Sequence, residues 1–188
     1  MEKEVPDKIT KRICSARVGE VFDFSGLLGP ITATFKLDLH DLVIHKLDWD
    51  DRIPDNLRPI WTSNFKLMGE IKHINYKRAV VPDDAVDLNI ETLEFGDASP
   101  VLVCAAIYVR FLRRNGTYSC QLILSKTRLV PEEMTQPRAE FYAIVVNTHT
   151  GEIVRRALSK YIVSRIKFSD SQIAMFWLPG ECLRTHLL

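Results

Sequence analysis

Phe95-Gly96-Asp97-Ala98-Ser99 sets an acidic residue at the point where one apolar run, Leu88 to Phe95, gives out and a longer one, Val101 to Leu112, begins. Two further acids follow in comparable settings. Glu140 stands in Gln136-Pro137-Arg138-Ala139-Glu140-Phe141, and Asp170 in Phe168-Ser169-Asp170-Ser171-Gln172-Ile173-Ala174. Three carboxylates on separate elements are what a site for two hard divalent cations requires, because magnesium prefers oxygen ligands and keeps some of its waters. The second half of the chain therefore reads as a metal-binding domain of nuclease type.

Working outward, the clearest local signal is the pair Val101 to Leu112 and Thr117 to Leu124 around Asn115-Gly116, the favoured dipeptide of a two-residue hairpin turn. Folding about that turn sets Phe111 opposite Cys120, Val109 opposite Leu122 and Ile107 opposite Leu124, with Arg110 meeting Gln121 on the other face. One face is apolar and the other partly polar, as in a sheet covered by helices on one side. Upstream, Leu88, Ile90 and Leu93 make a strand whose alternation slips by one. Downstream of Ser125-Lys126-Thr127-Arg128 and a turn at Pro131, Thr135-Gln136-Pro137 reads as a helix start. The stretch after it stays open. The stripe Phe141, Ile144, Val145, Thr148, Val154, Ala157 and Leu158 favours a helix, yet Ala143 to Val146 and Glu152 to Val154 can also be paired as a hairpin. Gly151 weakens the helix by roughly 1 kcal/mol relative to Ala. Ile162 to Phe168 is the next strand. Ser169 or Asp170 is expected to cap a short helix through Trp177 that Pro179-Gly180 breaks.

The first half carries helices and no visible chemistry. Residues 1 to 13 are polar and expected to fray. A short helix is expected over Ala16 to Phe24, then a turn at Ser25-Gly26-Leu27-Leu28-Gly29-Pro30. Ile31, Phe35, Leu39, Leu42 and Val43 mark a helix of about four turns. A second, from about Asp55, carries Leu57, Ile60, Trp61, Met68 and Ile71 towards the first. His40, His45 and His73 have no metal-site spacing. Asn75 to Val81 is read as a short strand and Pro82-Asp83-Asp84 as a turn, which divides the chain into residues 1–80 and 81–188. The fold class expected is α+β or α/β, helical first and then a mixed sheet with flanking helices.

At 188 residues, 46% hydrophobic and 26% charged, the chain has the composition of a folded domain and not of a disordered one. Nothing approaches a transmembrane span, and Met1-Glu2-Lys3-Glu4-Val5-Pro6 lacks the apolar core of a signal peptide, so an intracellular location, cytoplasmic or nuclear, with no membrane partner is expected. Cys14, Cys104, Cys120 and Cys182 make no CxxC pair, which argues against a zinc site or a disulfide framework. The net charge of +1 is uninformative. Between Val101 and Phe168, however, eleven Lys or Arg stand against four acids, an excess that suits a phosphate backbone but equally a solvated surface. Lys126 and Arg138 are the candidate backbone contacts.

The chain resembles a segment of the polyprotein of Pao-type (BEL/Pao) retrotransposons, running from behind the reverse transcriptase into its ribonuclease H domain. In the first half the resemblance rests on Phe22-Asp23-Phe24-Ser25-Gly26-Leu27-Leu28-Gly29-Pro30, on Leu47-Asp48-Trp49-Asp50-Asp51 and on Ile53-Pro54 with Trp61. In the second it rests on Gly96-Asp97-Ala98-Ser99 with Ala105-Ala106-Ile107-Tyr108, on Ser125 to Pro131, on Pro137-Arg138-Ala139-Glu140 and on Ser169-Asp170-Ser171 with Trp177-Leu178. Each piece is weak alone; their order and spacing are specific.

The resemblance implies a thumb- or connection-like segment over 1–80 and, over 81–188, an RNase H-like domain truncated at its C-terminus. In such a domain Asp97, Glu140 and Asp170 would be catalytic and would bind two Mg2+ (or Mn2+) ions. The implied partners are an RNA–DNA hybrid and the remainder of the polyprotein. A further aspartate from a late helix, following another strand, is expected to lie beyond the chain, since no Asp follows Asp170. Taken singly, each acid has a bland explanation: Asp97 as a turn residue, Glu140 as a first-turn helix acid, Asp170 as a cap. The three in order, each beside its family-like neighbours, favour the metal site. A catalytically inactive nucleic-acid- or protein-binding relic of the same fold is the alternative, and a purely structural piece of a longer polyprotein a third.

Overall fold

The computed structural model describes residues 5–71, 73–76, 79–177 and 185–186. It divides into two compact units, Met1–Asp23 with Pro30–Lys77, and Phe24–Gly29 with Arg78–Leu188.

The first unit is helical. Helix α1 (Lys11–Gly19) starts earlier than the apolar pattern suggests, because Thr10 supplies a cap: its hydroxyl accepts from the Ile13 amide at 3.3 Å. Ile9 and Thr10, just before it, are buried; residues 1–4 of the stretch expected to fray lie outside the described residues. Ile9 is fully buried, and Ile9 and Arg12 exchange backbone hydrogen bonds with Ile53 and Trp49. Phe22 and Phe24, expected in that helix, lie outside it and are exposed. Helix α2 (Gly29–Ile44) buries Phe35 and Leu42, while Val43 faces solvent. Helix α3 (Arg58–Ile71) begins a turn later than expected, after a Pro54–Leu57 turn. Its buried stripe is Trp61, Asn64, Phe65, Met68 and Ile71. Ile60 lies off it and is exposed. Asn64 donates to the Asp38 carboxylate at 2.7 Å, which satisfies the amide where the stripe turns polar.

Cys14 is fully buried, and burial pushes its thiol up to about 12. The neutral form is therefore favoured by folding. The resulting contribution to stability is complete below the thiol's unfolded value near 9, and is lost as pH rises from there through about 12. Denaturant melts at pH 8 and pH 11 are expected to show a larger alkaline loss for the native chain than for Cys14→Ala. Equal losses would contradict it.

The second unit is a five-stranded sheet in the order β3-β2-β1-β4-β5. Strands β1 (Ile90–Ala98), β2 (Leu102–Leu112) and β3 (Tyr118–Leu129) form an antiparallel meander. Strands β4 (Ile162–Phe168) and β5 (Thr185–His186) add in parallel beside β1. Helix α4 (Gln136–Ala157) carries the chain from β3 across to β4, as a parallel pairing demands. Strand β5 corrects the expectation that no further strand falls within the chain. The strand expected at Asn75 to Val81 is absent from the described residues there. That approach to β1 bonds to the hairpin end instead, through Val86 N–H to Leu112 and Arg114 N–H to Asp84. Pro179-Gly180 and Cys182 lie outside the described residues; among the described residues Cys14, Cys104 and Cys120 form no disulfide.

The hairpin register is half as expected. Ile107 pairs with Leu124, but Phe111 pairs with Ser119, Arg110 with Cys120 and Val109 with Gln121. The turn has three residues and not two: the Gly116 amide bonds to the Arg113 carbonyl, the Arg113 amide to Thr117, and Gly116 sits at φ +80. A type I turn closed by a left-handed glycine shifts the pairing by one. An irregularity between Ile107 and Tyr108 then restores the expected register and lets β3 run on through Ser125-Lys126-Thr127-Arg128.

Alternate residues of β2, Val103, Ala105, Ile107, Val109 and Phe111, are buried, and α4 lays Ala139, Ala143, Val146, Asn147, Thr150, Gly151 and Val154 inward. One core cluster joins Val103, Ala105, Val130, Ala139, Ala143 and Val146; a second joins Ile90, Val109 and Phe111. Helix α4 thus settles the open reading of 143–154. Gly151 is a helical residue, and its lack of a side chain has a cause. A Cβ there would lie 2.3 Å from an oxygen of Glu94, a fully buried carboxylate on β1. Gly151→Ala is therefore expected to destabilise by about 2 kcal/mol despite alanine's better helix propensity, the usual cost of overpacking. A thermal melt at or above the native midpoint would refute it.

Candidate metal centre

Asp97 lies near the end of β1, and Asp170 two residues past the end of its parallel neighbour β4. Phe95 and Phe168 are register partners, their rings stacked with centroids 4.6 Å apart, and each acid stands two positions further on. Strands of a sheet run about 4.8 Å apart, so the two strand ends that these acids follow are neighbours. Along β1, Gly96 turns towards α4, where a Cβ would meet Asn147 at 2.9 Å, and Asp97 turns to the other face and is exposed. Helix α5 (Gln172–Phe176) starts two residues after Asp170. The Ser169 hydroxyl accepts from the Ser171 amide at 3.3 Å, and both serines are buried while Asp170 is exposed. The Asp170 carboxylate is thus left to solvent.

Glu140 stands one turn into α4. The Gln136 side-chain amide donates to the Ala98 carbonyl at 3.1 Å and to the Glu140 carboxylate at 3.3 Å, tying the helix start to the end of β1. The Ala98 amide in turn donates to Asp97 at 2.7 Å. These bonds tie the helix that carries Glu140 to the end of the strand that carries Asp97, and Asp170 follows two residues past the end of β4. The carboxyl groups themselves are not gathered: among the described residues no three His, Cys, Asp or Glu side chains are placed to hold a metal ion. By donor chemistry the set fits a hard divalent cation, being all oxygen and, among the described residues, free of ion pairs to Lys or Arg.

What holds these elements in place escaped sequence reasoning. Glu94, three residues before Asp97, is paired with Arg165 of β4 at 2.7 and 3.1 Å and accepts from the Thr92 hydroxyl at 3.0 Å. Its backbone carbonyl accepts from Asn147 of α4 at 3.1 Å. Arg165 also lies 3.7 Å from Glu152, whose carboxyl Arg155 and Arg156 hold down at about 2. Strands β1 and β4 and helix α4 are thus cross-linked by one polar network.

The same network thins the basic excess of this half. Arg110 pairs with Glu91, Arg113 with Asp84, and Arg155, Arg156 and Arg165 with the acids just named. Lys126 and Arg138 make no ion pair among the described residues. Lys126 lies in the cross-strand row Gly96–Ala105–Lys126, and Arg138 is exposed on the first turn of α4.

A family model described as the Pao retrotransposon-like RNaseH-like domain matches residues 10–171. The chain belongs to this family. The Pao match spans both units, and the meander, crossover helix and parallel strands form an RNase H-like sheet. No curated protein matches the chain. Among solved structures it is similar to the foamy viral protease-reverse transcriptase dRH in complex with double-stranded DNA (11% identity, 90% of this chain and 30% of that one, TM-score 0.36). It is also similar to the foamy viral protease-reverse transcriptase with double-stranded DNA (10%, 92% and 36%, TM-score 0.39) and to the native prototype foamy virus enzyme (12%, 96% and 22%, TM-score 0.26). The chain thus spans about a third or less of their length. Among the described residues no helix is long and apolar enough to cross a membrane.

Proposed function

We propose that this Pao-family domain hydrolyses the RNA strand of RNA–DNA hybrids, as part of a longer reverse-transcribing polyprotein, using divalent cations held by Asp97, Glu140 and Asp170. The observation that supports the reading is that Asp97 near the end of β1 and Asp170, two residues past the end of the parallel neighbour β4, follow paired residues Phe95 and Phe168, while Gln136 ties the helix of Glu140 to Ala98. Bound there, magnesium or manganese would activate a water and stabilise the leaving oxygen of the scissile phosphate. Asp97 and Asp170 supply ligands from a rigid two-strand platform. Glu140 adds a third from the helix, and the buried Glu94–Arg165 pair resists relative movement of the strands that carry them. Lys126 and Arg138 would meet backbone phosphates, contacts that orient the duplex without reading its sequence.

The test is cleavage of a labelled RNA–DNA hybrid with magnesium, expected to be slow and to vanish in Asp97→Asn. Equal cleavage by both chains would overturn the assignment. A second reading, a non-cleaving nucleic-acid-binding relic, is favoured by the ungathered carboxyl groups. It predicts hybrid binding that neither magnesium nor Asp97→Asn alters.

A further inference from the structure

We propose that Gln136 is a positioning residue that sets the Glu140 carboxylate against the end of β1, so that Glu140 and Asp97 face one cation together. The inference rests on the metal-centre reading above. Its basis is the division of labour around Ala98. The Ala98 N–H donates to Asp97 at 2.7 Å, and its carbonyl accepts from Gln136 at 3.1 Å. The same Gln136 nitrogen donates to Glu140 at 3.3 Å. Its two hydrogens serve the two acceptors, so one side-chain amide links the strand end that bears Asp97 to the helix that bears Glu140.

Gln136 is well suited to this. It precedes Glu140 by four residues, one turn of helix, which puts both side chains on one face. Thr135, at the N-cap position, makes no side-chain cap bond, and Gln136 donates outward to another element instead of closing its own helix end. An N–H donor directed at a carboxylate limits its rotamers, which is how a supporting group orients a metal ligand. Alanine at this position keeps the helix and removes both donors; glutamate would set like charges one turn apart.

The test is manganese binding to the full chain, followed by the EPR signal of free Mn2+, for the native protein, Gln136→Ala, Glu140→Gln and the double variant. Gln136→Ala is expected to weaken binding about tenfold, the scale of losing an outer-shell partner. The same change is expected to add less than about twofold in the Glu140→Gln background, since a residue acting through Glu140 has nothing left to position. A merely structural Gln136 would cost the same in both backgrounds, and that result, or unchanged affinity in the single variant, overturns the inference while leaving the metal centre standing. Absence of manganese binding by the native chain removes both.

Discussion

Replacing Arg165 by Met is expected to destabilise the domain by about 3 kcal/mol, the lower end of the range for breaking a buried ion pair. Glu94 has no accessible surface, whereas about a quarter of the Arg165 side chain (26%) reaches solvent, which is why the lower end applies. Without the guanidinium, Glu94 keeps only the Thr92 hydroxyl, and a buried carboxylate with one neutral donor is poorly compensated. The loss arises from the stranded charge more than from the missing attraction. Glu94→Gln combined with Arg165→Met should therefore recover much of it, since no buried charge is then left unpaired. Urea melts of the single and double variants decide the matter. A single variant within about 1 kcal/mol of the native chain, or a double variant worse than the single, would show that the pair does not tie β1 to β4 as described.

Asp97→Asn is expected to abolish magnesium-dependent hybrid cleavage with little change in folding. The carboxylate is exposed, and its recorded hydrogen bond is to the adjacent amide of Ala98. An asparagine oxygen can still accept that bond, so the melting temperature should stay close to native. The amide has lost the charge that competes with water for a hard cation, however. Loss of activity should exceed the roughly 10- to 100-fold typical of outer-shell changes. A variant that cuts at native speed, or one that is inactive only because it is unfolded, would remove Asp97 from the site.

Much of this was legible in the chain itself. Residues 162–168 and the meander read correctly because apolar runs with a glycine turn between them leave few alternatives, although Gly116 in the left-handed region adds a loop residue and slips the outer register. The strand over 90–98 was blurred for a physical reason. Its inward face carries Thr92, Glu94 and Gly96, a polar set made acceptable by Arg165, seventy-one residues away from Glu94 in sequence. No local pattern announces a buried carboxylate whose partner is so distant, and the Gly151 that makes room for it looks, in isolation, like a helix weakness. Thr10 was overlooked as a cap because the polar stretch before it suggested fraying, whereas Ile9 is locked by backbone bonds to residue 53. The three acids were singled out by their neighbours and order, whereas the Gln136 bridge from α4 to Ala98 has no local sequence signal.

A structure of the chain crystallised with Mn2+ bears most directly on the metal centre. The account predicts an anomalous peak with oxygens of Asp97, Glu140 and Asp170 at about 2.0–2.2 Å, the range of a hard divalent ion. Manganese bound elsewhere, or an edge left vacant at saturating metal with the three side chains still apart, would contradict it.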